Sequence, residues 1–464
     1  MVIIREIADS AFFWAAWLII PFIMEIIPSI GSVFVLIRKH IKNKEFERPA
    51  IDPEITIMIP VYNSEDTLEE CLASIHESDY PDSSMRIFVI NNQGSDNSFE
   101  VFSHCQKEYP SLRMQWMNSM QGKSRALNLA LFNSSGKYII NIDSDGYLEK
   151  SAIRNVVTYL ENNQELDCVT GTILTDPKKI SSYKTIRGRI LRKLEFLEYA
   201  QAFLAGRSYA AEGNVIYTLS GAFSIFRKSF VLKSQLYNTD TICEDTELTF
   251  QARYLQNARI GVCENAVFFV DPIESAGRLY TQRQRWQRGS LEVSHMFLSD
   301  RMKVKNMFRD TGVRTLLYDH TFAFPRIIWY LILFCLMLMN YSPLILVLAL
   351  ILQLLMYIVI NYLYFISSLV YLRPFKSIHD YYRRLIYLVP LMPVYNLAVF
   401  FIRFAGIINS IGSRGVWSSR TPSQERADVR AVLSHDINRF RNILNRIRAA
   451  FNDGEENFNE KTSA

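Results

Sequence analysis

The 464-residue chain has little net charge, few histidines and no paired cysteines. Its 51 basic and 46 acidic residues leave a formal charge of +5, with only 7 His and 6 Cys. So small an excess argues against a nucleic-acid-binding chain, in which dense Lys and Arg neutralise phosphates. Cys71, Cys105, Cys168, Cys243, Cys263 and Cys335 form no CxxC pair and no Cys/His spacing suited to zinc. Scattered thiols suit a reducing cytosol, and a disulfide framework is not expected.

Uniform hydropathy is also missing. The mean hydropathy of +0.04 averages two unlike parts. Residues 50–310 carry regular charge, whereas residues 11–37 and 315–411 are apolar and rich in Leu, Ile, Phe and Tyr. The pattern is that of a soluble unit joined to membrane spans. Ala11 to Ile37 is long enough to cross a bilayer, exceeds a signal-peptide core and shows no small-residue cleavage site. Arg38, Lys39, His40, Lys42 and Lys44 follow it, and only Arg5 precedes it, so the charge rule puts residue 38 onward in the cytoplasm. A second span is expected from about Leu316 to Met339, and a third from Leu344 to Leu372. Arg373, Lys376, Arg383 and Arg384 then mark the cytoplasmic side again.

Leu385 to Ile411 fits a simple span poorly. Pro390 and Pro393 would break a straight helix, and Arg403 would sit mid-membrane. Residues 412–450 carry eight Arg against three acids, so a broken, interfacial or re-entrant segment with the tail inside is expected. Ile437, Phe440, Ile443, Leu444 and Ile447 recur at helical spacing within 436–450. That helix is read either as lying on an anionic membrane surface or as an ordinary packed one.

The soluble part alternates strand and helix patterns. Ile55–Pro60, Met85–Ile90 and Tyr138–Ile142 are short apolar runs of strand type. Ser64 is expected to cap a helix carrying Leu68, Cys71, Leu72 and Ile75 on one face, and Ser124–Phe132 reads as another helix. Such alternation implies an α/β fold with a mostly parallel sheet, whose ligands bind beyond the carboxyl ends of the strands.

Three polar clusters stand out. Asp143-Ser144-Asp145-Gly146 ends the run YIINI, and carboxylates two apart in a turn can converge on Mg2+ or Mn2+. An Asp-rich turn with Gly supplying a positive φ would look the same. Glu244-Asp245 begins a helical run and suits either general-base work or capping of the helix dipole. Gln282-Arg283-Gln284-Arg285-Trp286 offers guanidinium groups for a leaving diphosphate and an indole for a sugar face. The alternative is a solvated basic face with a Trp anchored at the membrane interface.

Together with Ile59-Pro60-Val61-Tyr62-Asn63, Gly122-Lys123-Ser124-Arg125-Ala126-Leu127-Asn128, Ser220-Gly221-Ala222-Phe223 and Phe226-Arg227, these clusters resemble family 2 glycosyltransferases. The likeness covers about residues 55–290. It is strongest to the processive, membrane-embedded branch of cellulose, chitin, hyaluronan and poly-N-acetylglucosamine synthases, with a looser likeness to an exosortase-associated Gram-positive subgroup. The resemblance implies a GT-A (Rossmann-like) fold and an inverting transfer from a UDP-sugar without a covalent enzyme intermediate. It makes Asp245, with Glu244 beside it, the catalytic pair, and Asp143 and Asp145 the metal and diphosphate ligands. Pro60, Tyr62, Glu65, Asn91, Asn92 and Lys123 would form the nucleotide-sugar pocket with Asp143. Gly221, Gln282, Arg285 and Trp286 would serve the diphosphate and the acceptor.

Four units follow: a transmembrane helix at 1–40, the cytosolic GT-A domain at 50–310, transmembrane and interfacial helices at 315–411 and a basic cytoplasmic tail at 412–464. The expected setting is the cell membrane. Expected partners are a nucleotide-sugar, a glycan or lipid-linked acceptor, membrane lipids and a second copy or an export partner; nucleic acid is not among them. Two departures from the family pattern matter. An Asp-Asp-Gly-Ser turn is replaced by Asn91-Asn92-Gln93-Gly94-Ser95-Asp96, and the Thr before Glu-Asp is Cys243. Extension of a polysaccharide from UDP-GlcNAc or UDP-glucose is the leading reading. Single-sugar transfer to a lipid-linked acceptor is second, and a non-catalytic transporter or scaffold is third.

Overall fold

The computed structural model describes residues 26–42, 46–301 and 343–410, with a few isolated positions beyond them. The span expected near 316–339, the tail and its 436–450 helix, and the first part of the 11–37 span lie almost wholly outside the described residues. Helix α1 (Ile27–Lys42) covers the end of the 11–37 run and the basic residues after it.

The apolar runs become strands because each is bounded by polar turn residues and covered on both faces. In chain order the first half comprises β1 (Ile55–Val61), α2 (Leu68–His76), β2 (Met85–Asn91), α3 (Ser98–Glu108), β3 (Arg113–Asn118), α4 (Lys123–Asn133), β4 (Tyr138–Ile142), β5 (Gly146–Leu148) and α5 (Ala152–Asn162). The second half comprises β6 (Cys168–Thr175), α6 (Ile186–Tyr199), β7 (Phe223–Arg227), α7 (Glu244–Phe250), β8 (Ile260–Val270) and α8 (Ala276–Leu298). The sheet order is β3-β2-β1-β4-β7-β6-β8-β5. β1, β2, β3 and β4 are mutually parallel, and so are β6 and β8. β7 runs antiparallel between β4 and β6, and β5 antiparallel to β8. The sheet is therefore mixed: parallel where βα units alternate and antiparallel where β7 returns.

Strand periodicity splits the core in two. Ile55, Ile57, Ile59 and Val61 pack on α2 with Leu68, Leu72 and Ile75, while Met58, Phe88 and Ile90 face Ala126, Leu127 and Leu131 of α4. The helix after β1 starts at Leu68, not at Ser64. Ser64 does not cap it with its side chain, because the hydroxyl pairs instead with Ser144 Oγ at 2.8 Å, in the carboxylate turn. Only its carbonyl serves the turn, accepting from Thr67 and Leu68 N–H.

Three helices follow: α9 (Pro343–Tyr371), α10 (Lys376–Arg384) and α11 (Met392–Ser410). Two segments, Leu346–Tyr371 and Lys376–Ile407, are long and apolar enough to cross a membrane. A 3₁₀ segment, Leu385–Leu391, contains Pro390 and interrupts the second, while Pro393 falls in the first turn of α11, where its missing N–H has no partner to lose. These helices share a core with α1 and α6: Leu36, Phe196, Phe365, Tyr382 and Tyr395 belong to one buried cluster. Lys39 ties α1 to β8 through Glu264 at 2.7 Å and to the helical segment Arg207–Glu212 through Glu212 at 3.2 Å.

Candidate active site

β4 delivers the carboxylate turn. All five of its residues are buried, so the chain leaves the sheet at Asp143 with no freedom to drift. Asp143 N–H donates to the Ala222 carbonyl at 3.1 Å, which continues the antiparallel β4–β7 ladder and lays Ser220–Ala222 beside the acids. Asn141 Nδ2 donates to the Gly221 carbonyl at 2.7 Å, pinning that segment. Gly146 does not supply a positive φ. It opens β5, and a Cβ there would collide with the Phe269 carbonyl across the β5–β8 pair. The residue is glycine because two backbones meet.

Lys123 sits at the centre. It begins α4 just after Gly122, whose φ of +128° suits glycine. Lys123 Nζ lies 2.6 Å from Asp143 Oδ1 and 3.2 Å from Glu244 Oε1, and reaches toward the Gly221 carbonyl at 3.5 Å. Burial and the Lys123 charge act oppositely on Asp143, and the balance leaves its carboxyl raised to about 6. Asp145, enclosed by the cleft yet open to solvent, is raised by desolvation and pulled back by Lys123 and Arg285.

Asp245 is oriented by backbone. Thr246 N–H donates to its Oδ1 at 2.7 Å and Gly221 N–H to its Oδ2 at 3.2 Å. Burial and the neighbouring Glu244 raise its pKa, against Lys123 and Arg207. A Cβ at position 221 would press on Asp245 Oδ2 at 3.2 Å and Lys123 Nζ at 3.3 Å, so Gly221 is the gap through which these two approach. Cys243 packs on Gly289 of α8, where a Cβ would overlap its sulfur and lie 2.7 Å from its Cβ. That contact sets α7 against α8.

α8 forms the opposite wall. Gln282 and Trp286 are half-buried and Arg285 is exposed, all three lining the cleft. Arg283, which sequence reading did not separate from its neighbours, is fully buried. It ion-pairs with Glu198 at 2.7 Å, donates to Gln282 Oε1 at 2.7 Å and lies 4.3 Å from the Trp286 ring centre. Glu198 also accepts from Tyr395 of α11 at 2.7 Å. The signal was present in the sequence: Leu279, Arg283 and Gln287 recur every four residues and form the buried face of α8.

Lys123, Asp143, Asp145, Gly221, Glu244, Asp245, Gln282, Arg285 and Trp286 line one cavity of about 1350 Å³. Pro60, Tyr62, Glu65, Asn91 and Asn92 form a neighbouring group at the ends of β1 and β2. Pro60 is buried in the strand, and Glu65 is exposed with its carboxylate held by Asn97 at 3.0 Å. The two groups are joined where Gly122 N–H donates to Asn92 Oδ1 at 2.5 Å. Among the described residues, the only three-ligand grouping of metal-binding type is Glu69, His104 and Glu108, exposed on α2 and α3 outside this cavity.

The family model for glycosyl transferase family 2 matches residues 56–233, from β1 through the Gly221 segment. The chain carries a family 2 glycosyltransferase domain. It is similar to the poly-β-1,6-N-acetyl-D-glucosamine synthase of Staphylococcus aureus, 27% identical over 289 residues, or 61% of this chain and 67% of that protein. The corresponding synthase of Staphylococcus epidermidis is 26% identical over 280 residues, 59% of this chain and 64% of that protein. Among solved structures, a mannosyltransferase from Pyrobaculum calidifontis in complex with GDP-Man and Mn2+ superposes with a TM-score of 0.53 at 17% identity, covering 80% of this chain and 96% of that one. The fold is GT-A, and the enzyme is a glycosyltransferase.

Proposed function

We propose that this glycosyltransferase is embedded in the cell membrane and extends a glycan by inverting transfer from UDP-GlcNAc, with Asp245 as general base. The observation that carries the reading is the convergence of Lys123, Asp143, Glu244 and Asp245 at one end of a cavity walled by Gln282, Arg285 and Trp286. Asp245 holds its orientation through two backbone N–H groups, and its raised pKa brings proton affinity nearer to working pH. It takes the acceptor hydroxyl proton as that oxygen attacks the anomeric carbon opposite the leaving diphosphate. Arg285, beside Asp145, offsets the charge that builds on the diphosphate. Trp286 offers a ring face to the acceptor sugar.

Asp143 and Asp145 fit a hard divalent cation: two carboxylates in one turn, where burial first and the Asp145 charge after it raise Asp143. Bound there, Mg2+ or Mn2+ would supply charge neutralisation for the diphosphate. UDP-GlcNAc is chosen because the relatives above are named as poly-N-acetylglucosamine synthases; UDP-glucose is the next donor to try. The membrane setting is supported by the two long apolar helices and by exposed Leu344, Val347, Leu348 and Ile351 along α9.

One observation favours transfer of a single sugar to a lipid-linked acceptor as a second reading: the cavity continues between Leu350 and Leu354 of α9 and Val394 and Leu397 of α11. A non-catalytic scaffold has no observation in its favour. The test incubates membranes bearing the full chain with radiolabelled UDP-sugars and Mg2+ or Mn2+, with and without chelator, and sizes the product. A ladder supports extension and one sugar on lipid supports the second reading. Asp245→Asn should lower incorporation by roughly 100-fold or more. Undiminished incorporation would remove Asp245 as the base.

A further inference from the structure

We propose that Phe203 and Arg207 form the acceptor-side wall of the cleft, a site for the ring face and hydroxyls of an acceptor sugar. The inference rests on the glycosyltransfer reading above and adds residues that no sequence motif points to. Helix α6 runs on through a π-helical segment, Ala200–Gly206, into Arg207–Glu212. Such segments widen a helix and recur at functional sites. Here Tyr199, Phe203 and Arg207 follow at intervals of four, and all three line the cavity.

Two rings stand between two cations. The Arg207 guanidinium lies 4.5 Å from the Phe203 ring centre, and Phe203 meets Trp286 edge-on at 6.1 Å. Beyond Trp286 lies Arg283, whose charge is met by Glu198 and which donates to Gln282, although its buried Nε has no partner. Arg207 has no such counter-ion among the described residues. Among the described residues its one hydrogen bond goes to Thr170 Oγ1 at 3.4 Å. That hydroxyl already accepts from Ser220 N–H and donates to the Phe223 carbonyl, each at 3.2 Å. No carboxylate of a described residue lies within ion-pair distance of Arg207; the carboxylate whose charge acts most on it is Asp245. A guanidinium has five donors, so Arg207, half-buried and lining the cavity, keeps donors that a ligand bound there can use.

A ring beside a cation with spare donors, in the same cavity as Asp245, suits a polyhydroxylated ligand. A sugar stacks its C–H face on Phe203 and presents hydroxyl or acetamido oxygens to Arg207. An alkyl chain would use the ring and leave the guanidinium unanswered.

The test uses the full chain in lipid nanodiscs, with UDP-GlcNAc as donor and a soluble β-1,6-linked N-acetylglucosamine pentamer as acceptor. In Arg207→Gln the acceptor KM should rise about tenfold, the loss expected when a charged hydrogen-bond donor is removed, with a much smaller change in donor KM. Arg207→Lys should recover part of the loss. Phe203→Leu, which keeps apolar volume and removes the ring face, should raise acceptor KM at unchanged Tm. An acceptor KM within twofold of wild type in both Arg207→Gln and Phe203→Leu would overturn the wall. So would acceptor and donor KM rising by one common factor. A wild type that turns over no UDP-sugar sinks the glycosyltransfer reading and the wall with it. Transfer to the pentamer that is indifferent to both variants sinks the wall alone.

Discussion

Replacing Lys123 with Met tests whether one cation holds the carboxylate cluster together. Its Nζ lies 2.6 Å from Asp143 and 3.2 Å from Glu244. A unit pair at 4 Å is worth about 4 kcal/mol at an effective dielectric near 20, and removing one partner of a buried pair costs about 3–5 kcal/mol. Both Lys123 and Asp143 side chains keep 27% exposure, so screening brings the expected loss to about 2–3 kcal/mol. The loss should depend on pH. Asp143 is raised from 3.8 to about 6, so the native chain holds its proton more tightly than the unfolded chain does. Wild-type stability from this group therefore falls as pH climbs between those values. Without Lys123 the folded value climbs further and the window extends upward, so ionising the acids costs more stability as pH rises through neutral. Thermal unfolding in chelator should place the variant roughly 5–10 °C below wild type near pH 8, with the gap closing toward pH 5. Parallel profiles across that range would refute the argument, since they would mean Lys123 does not neutralise the acids.

Two further substitutions probe how the walls are set. Gly289→Ala drives a Cβ into Cys243, immediately before Glu244, and should cost about 1–3 kcal/mol with a matching fall in kcat as α7 shifts; unchanged Tm and kcat would disprove the close packing. Glu198→Ala leaves the fully buried Arg283 without its counter-ion and should cost about 3–5 kcal/mol, read as a drop in Tm, whereas Glu198→Gln should cost less because its amide oxygen still accepts. A Glu198→Ala protein melting with wild type would show that Arg283 finds another partner.

Much of the parallel half of the fold was legible because β1, β2 and β4 are short apolar runs with polar ends, whereas β3, half polar and partly exposed, was not read. Tyr138–Ile142 was bounded correctly, and the helix expected at Ser124–Phe132 spans Lys123–Asn133. The acidic clusters stood out too, since their spacing is local, and the fold brings them to one cavity. What the sequence withheld depends on distant pairing. β7 enters antiparallel beside β4, more than 80 residues away in the chain, and so places Gly221 next to Asp143. Ser64 looked like a cap because its true partner, Ser144, lies across the sheet. Arg207 carried no signal because a lone arginine on a helix is ordinarily solvated, and only the fold turns it toward a cavity.

The turn at 91–96, where the sequence departs from the family pattern, bears directly on the proposed donor. Asn91 Oδ1 accepts from Gly94 N–H at 2.9 Å, and its Nδ2 donates to Asn118 at 3.2 Å. Asp96 spends one oxygen on Glu65 N–H at 2.8 Å and the other on the Ser98 hydroxyl at 2.7 Å. No acid in this turn is left to meet a base. Asn92 is buried, and its oxygen accepts from Gly122 N–H, directly before Lys123. An aspartate at 92 could make that same bond, so the oxygen's task at the head of α4 survives the change. The amide differs in carrying two donors where a carboxylate has none. A uracil edge offers both carbonyl oxygens and an N–H, so an amide can meet it where a carboxylate could only accept. Replacement of charge by amide therefore alters which base edges the turn prefers, while the bond that positions Lys123 against Asp143 and Glu244 stays intact.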